Sequence, residues 1–255
     1  MSPRTTAAAL PGDIEAALKR LKLSTIRRQA PEVLLTAKTQ RWTPEETLRV
    51  LVDMEIAARD ESNCRGRMSA ARFPVVKTLA EFNLAESSIP TASHDYLITL
   101  DWIGRADNLC LVGPAGTGKS HYLIALGRAA VEAGHKVRYF TAVELVEHLW
   151  RAVADNTVAR VIEQACRNEL IIVDEIGFAP LDHTGCQLLF RLIAAAYERR
   201  SVAIASHSPF EQWGRFLPDQ PTAVSLLDRL CHHAHIITTS GDSYRLTHRT
   251  TGGDA

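Results

Sequence analysis

A lysine and a serine at the end of a glycine-rich run can do chemistry that neither does alone. In GPAGTGKS the glycines free backbone amides to turn inward on phosphate oxygens. Lys119 then supplies a cation for β- and γ-phosphates, and the Ser120 hydroxyl a ligand for Mg²⁺. The expected ATP cradle is Gly113, Pro114, Ala115, Gly116, Thr117, Gly118, Lys119, Ser120 and His121. Further on, LIIVDEIG carries an apolar run into Asp174 and Glu175. Asp174 is placed to join Ser120 on the metal ion, and Glu175 to polarise an attacking water. A small-molecule kinase would need a base aimed at a substrate hydroxyl and a basic lid. The residues after Glu175, GFAPLD, offer no arginine-rich lid, so the carboxylate pair favours hydrolysis.

Two further side chains fall where such a site needs help. VAIAS runs into His207, which can donate to a γ-phosphate or to the water, or simply hydrogen-bond within its loop. SLLDRLCHHAH sets Arg229 on an amphipathic segment, where it pairs locally near Asp228 or reaches the nucleotide of another subunit. The neighbouring Cys231, His232, His233 and His235 superficially suggest a metal. At the passage from a helix to a strand, however, their side chains diverge, which disfavours metal binding.

The elements that must carry these groups alternate between strand and helix. Apolar runs at 108–112, 136–140, 170–174, 202–206 and 235–239 read as buried parallel strands. Helices are expected at 119–133, 142–154 behind a Thr141 cap, 158–167, 184–199 and 222–232. In such an α/β sheet, ligand groups gather at the carboxyl ends of the strands. The front of the chain differs. A helix is expected from Pro11-Gly12-Asp13. Another follows from Thr43-Pro44-Glu45-Glu46, a capping box with Pro at the first turn and an apolar stripe of Leu48, Leu51, Val52 and Ile56. Residues 1–72 therefore read as a small helical domain, 73–96 as a connector and 248–255 as a disordered tail.

Net charge is zero but unevenly spread. Residues 1–72 carry 13 basic against 9 acidic residues, and the remainder 16 against 20. A basic front on a mildly acidic body suits an anionic partner, or a solvated helix face. Five cysteines, odd in number and without C-x-x-C spacing, fit a reducing compartment rather than a disulfide frame. With no long apolar run and no signal-peptide pattern, the expectation is a soluble, cytoplasmic protein without a membrane partner.

The segments GPAGTGKSHYLIALG, LIIVDEIGFAPLD, LLFRLIAAAYERRS and LLDRLCHHAHIITTSGDSYRL, in this order, closely resemble the IstB family of insertion-sequence transposition helper ATPases. That family is a sister group of the DnaC helicase loaders within the AAA+ ATPases, and a DnaC-like loader is the alternative reading. The resemblance extends upstream through RFPVVKTLAEF. It implies a three-layer AAA+ P-loop core over 97–247, with strand order 5-1-4-3-2 and no lid domain. It also implies ATP and Mg²⁺ as cofactors, an ATP-dependent homo-oligomer on duplex DNA, and a partner transposase that is IstA-like. By position, Lys119 and Ser120 bind ATP–Mg²⁺, Asp174 and Glu175 are the Walker B pair, and Arg229 is an arginine finger acting in trans. His207 stands where the family usually has an asparagine sensing the γ-phosphate.

Overall fold

The three central strands of the sheet, at 108–112, 170–176 and 201–206, are short and buried along almost their whole length, so they are covered on both faces, whereas the last strand leaves Ile236 49% exposed. The computed structural model describes residues 8–241, 243 and 244. The chain divides into two compact units, Met1–Gly66 and Arg67–Ala255. Asp242, Arg245 and Leu246 of the GDSYRL stretch, and the tail 248–255, lie outside the described residues.

The first unit is helical: α1 (Gly12–Arg20), α2 (Ser24–Gln40) and most of α3 (Pro44–Ala71). The expected capping box opens α3. The Glu46 amide donates to Thr43 Oγ1 at 3.2 Å, and the Thr43 amide to Glu46 Oε2 at 2.7 Å. The N-cap position of α2 is Leu23, which makes no side-chain cap, and Pro31 sits mid-segment, so the pattern does not announce α2. Its cap comes from elsewhere. Glu55, buried on α3, accepts from the Thr25 and Ile26 amides at 2.8 and 3.0 Å and from Arg59 Nε at 3.0 Å. Burial alone would raise this carboxyl; the two amides and the guanidinium outweigh it and hold it below the usual glutamate range. The predicted stripe on α3 is not a core stripe. Leu48 is 63% exposed and Ile56 52%.

The second unit continues with α4 (Thr91–Leu97), α5 (Asp101–Gly104), β1 (Asn108–Val112), α6 (Lys119–Glu132), β2 (Val137–Thr141) and α7 (Ala142–Ala154). Then come α8 (Val158–Ala165), β3 (Leu170–Ile176), α9 (His183–Ala196), β4 (Ser201–Ser206), α10 (Gln220–Cys231) and β5 (Ala234–Thr238). All pairings are parallel, and the order β2-β3-β4-β1-β5 is the expected one. Side-chain alternation sorts the layers. Cys110, Ile171, Val173, Val202 and Ile204 face a core shared with α7, α8, α9 and α10. Ile172, one step along β3, packs instead beside Gly127 of α6. At the base of the sheet the buried Asn108 side chain accepts from the Val202 amide and donates to Leu230 O, both at 2.9 Å, tying β1 to β4 and α10. Among the described residues no helix is long and apolar enough to cross a membrane.

Candidate active site

The carboxyl ends of the three central strands and of β5 converge. The Gly113 amide, just past β1, donates to Ser206 O of β4 at 3.1 Å. The Thr239 amide, just past β5, donates to Val112 O at 2.7 Å. Between them the glycine-rich loop turns through left-handed backbone at Gly116 and Gly118, both at φ +86°. Gly118 stands at the N-cap of α6 without a side-chain cap, so the first-turn amides and the positive end of the helix dipole face the loop. Lys119 lies buried beneath it, its Nζ donating to Gly113 O at 2.7 Å and to Pro114 O at 2.5 Å. Burial pulls this ammonium below the usual lysine range, against the opposing pull of Asp174.

Ser120 Oγ donates to Asp174 Oδ1 at 3.1 Å. Asp174 is 2% exposed, whereas Glu175 beside it is open to solvent. The strand pattern explains the contrast. Pairing between β3 and β4 shifts register between Val173 and Ile176, so β3 runs two residues beyond its expected end. The irregularity includes Glu175 at φ +60°, a conformation that costs a non-glycine residue about 1–2 kcal/mol. It lets two adjacent carboxylates serve different sides, one inward under the loop and one outward.

His207 follows Ser206 directly. Ser206 is in register with Val112 on one side and Ile176 on the other, so His207, exposed, follows the strand end beside the chain leaving β1 and β3. His121, on the first turn of α6, shares a hydrogen bond with Thr78 O at 3.3 Å and meets the Phe82 ring edge-on at 5.3 Å. Arg229 is not part of this gathering. Its Nη1 donates to Ser225 O at 3.0 Å, and its guanidinium lies 5.0 Å from the centre of the Phe190 ring. The expected divergence of the Cys/His cluster does not extend to His232 and His233, whose ring centres lie 4.0 Å apart at the turn from α10 to β5, with Glu198 beside them. His235 turns away to Tyr96 and Asp107. The His232 Nδ1 shares a hydrogen bond with the Tyr197 hydroxyl at 2.9 Å.

Three contributors are not apparent from motifs. Tyr139 OH donates to Asp174 Oδ2 at 2.8 Å; burial first, then the Asp174 charge, push its phenol above the usual range, so it stays a donor. The signal is parity: Tyr139 pairs with Ile172, two residues from Asp174 on the same face. Phe82 packs 4.9 Å from Tyr122 and against Gly118. The segment after β5 clasps the loop: Thr117 and Thr239 hydroxyls share a 2.8 Å bond, and the Tyr244 amide donates to Gly116 O at 3.1 Å.

The model of the IstB-like ATP binding protein family matches residues 16–252. The chain is 33% identical over 242 residues, 94% of its length and 91% of the relative's, to a protein of Pseudomonas aeruginosa named as an ATP-binding protein of insertion sequence IS21. It is 31% identical over 228 residues, 89% and 91% of the two chains, to the corresponding protein of insertion sequence IS5376 from Geobacillus stearothermophilus. Among solved structures, AMPPCP-bound DnaA from Aquifex aeolicus superposes at a TM-score of 0.52 and 18% identity, covering 65% of this chain and 50% of that one. DnaI superposes at 0.54 and 14%, covering 64% and 91%. Both likenesses concern the fold of the core alone.

Proposed function

The chain belongs to the family of IstB-like ATP-binding proteins, and from that premise we propose that it is an ATPase acting as a DNA-assembly switch. With ATP and Mg²⁺ it forms a homo-oligomer on duplex target DNA and recruits or stimulates a partner transposase of the IstA type during insertion-sequence transposition. The observation that carries this reading is the 3.1 Å approach of Ser120 Oγ to Asp174 Oδ1 under the glycine-rich loop, with Glu175 beside it. Two hard oxygen donors, Ser120 on the first turn of α6 and Asp174 near the carboxyl end of β3, fit Mg²⁺ chemistry. When bound, the ion neutralises charge on the phosphates. The chain's own groups do the rest. Loop amides from Ala115 to His121 cradle the phosphates, and Lys119 exchanges its bonds to loop carbonyls for phosphate oxygens. Glu175 orients water, and His207 senses the γ-phosphate from the end of β4. Arg229, held away from its own loop, completes the site of the next subunit. The basic front, with Arg27, Arg28, Arg65 and Arg67 as candidates, tracks the phosphates of duplex DNA.

ATP turnover measured with and without duplex DNA, alongside particle size under ATP and ADP, tests this. Turnover should rise with DNA, and particles should grow with ATP but not ADP. Lys119→Ala should lose ATP binding, whereas Glu175→Gln should bind ATP and stay assembled without turnover. Equal nucleotide affinity in Lys119→Ala and wild type would sink the assignment.

A further inference from the structure

A carboxylate that serves a metal ion has two oxygens and a soft terminal torsion, so something must decide which oxygen faces the ion. At Asp174 that decision is made from three sides. Oδ1 accepts from Ser120 Oγ at 3.1 Å and from the Glu175 amide at 2.8 Å. Oδ2 accepts from Tyr139 OH at 2.8 Å, in a bond buried within the molecule. The tyrosine reaches across because β2 and β3 are parallel and in register. Thr141 pairs with Asp174, and Tyr139, two residues earlier on the same face, spans the diagonal with its ring. A shorter hydroxyl at this position would fall short.

The ring itself is held. Phe73 packs against it with centres 6.2 Å apart. Phe73 sits in a notch at Gly127 of α6, where an added Cβ would come within 2.9 Å of its ring and 2.6 Å of Ile172 Cδ1. Just upstream, Arg138 Nη1 donates to Ala70 O at 2.8 Å, fixing the end of α3 to β2. A continuous series of contacts therefore runs from residues 70–73 through Tyr139 to Asp174.

We propose that Tyr139 is a positioning residue: it anchors Oδ2 so that Oδ1, beside Ser120, is presented to the divalent ion that accompanies ATP, and Phe73 keeps the Tyr139 ring in register. The proposal rests on the reading of Ser120 and Asp174 as the ion's ligands. Two effects of the phenol oppose each other. Its hydrogen bond withdraws some charge from the carboxylate, which weakens ion binding, while the fixed orientation strengthens it. The carboxylate charge is shared by both oxygens, so the phenol weakens Oδ1 only modestly, and fixing the ligand's orientation is the larger effect. Partners of this outer kind typically account for roughly 10- to 100-fold in metal affinity.

Mn²⁺ serves as the probe, titrated into the full-length protein at saturating ADP and followed by electron paramagnetic resonance. ADP affinity in EDTA is measured alongside. Tyr139→Phe keeps the ring and removes only the hydroxyl; it should weaken Mn²⁺ binding about tenfold and leave ADP affinity in EDTA unchanged. Phe73→Leu should weaken Mn²⁺ binding by a smaller factor. Unchanged or tighter Mn²⁺ binding in Tyr139→Phe overturns the proposal, as does an equal loss of ADP affinity in EDTA, which would mark a generally loosened site. If Tyr139→Phe does not fold, Phe73→Leu decides, and wild-type Mn²⁺ affinity in it overturns the proposal. If the wild type itself takes up no Mn²⁺ with ADP, the ligand assignment falls first and the proposal with it.

Discussion

Gly116 has two separate reasons to be glycine. Its φ of +86° is one that side-chain-bearing residues rarely adopt, and the space a Cβ would occupy is already filled by Ser243. Gly134, at φ +103°, has only the first reason, since its nearest neighbour would be the flexible Arg67 guanidinium at 3.6 Å. The pair separates strain from crowding. Gly134→Ala should lower stability by about 1 kcal/mol and leave nucleotide affinity alone. Gly116→Ala should lose most nucleotide binding in a titration with a fluorescent ATP analogue. Adding Ser243→Gly should recover part of the loss, and no recovery would mean that crowding is not the cause.

At the scale of elements, α2 depends on a neighbour for its N-terminus. Because the folded Glu55 carboxyl lies below its unfolded value near 4.3, its contribution is present above that pH. It is lost as pH falls through the depressed value. Protection of the Thr25 and Ile26 amides from hydrogen exchange, taken relative to the intrinsic rate at each pH, should therefore fall on acidification below about pH 4. Glu55→Gln should remove that dependence and lower the unit's stability by about 1–3 kcal/mol. The same element marks the limit of what the sequence discloses. A helix capped by its own residues, such as α7 with the Thr141–Glu144 box, is legible, and so are five apolar strands and a glycine-rich loop. A helix capped by a glutamate 29 and 30 residues away is not, because nothing local records the partner. Likewise the glycine-rich loop and the adjacent Asp174 and Glu175 stand out as motifs. Tyr139 and Thr239 act through register and chain return, which exist only once the sheet has formed.

For the whole molecule, Arg229 lies against Phe190 and Ser225, and the role proposed for it in the next subunit makes the proposed site a shared one. An Arg229→Ala subunit and a Lys119→Ala subunit each keep the half that the other lacks. Mixed, they should regain some of the rate that an arginine finger contributes, typically about 10³–10⁵. If they stay inert when mixed, although each folds and binds DNA, Arg229 is an ordinary helix residue. The clasp on the loop bears on a different matter, the timing of synthesis. Thr117 meets Thr239 across 122 positions of chain, and Gly116 takes its bond from Tyr244. A ribosome that has made every residue of GPAGTGKS has therefore not yet made a finished phosphate loop. That waits until residue 244 has emerged, so a product cut short before it carries the full motif and lacks the clasp.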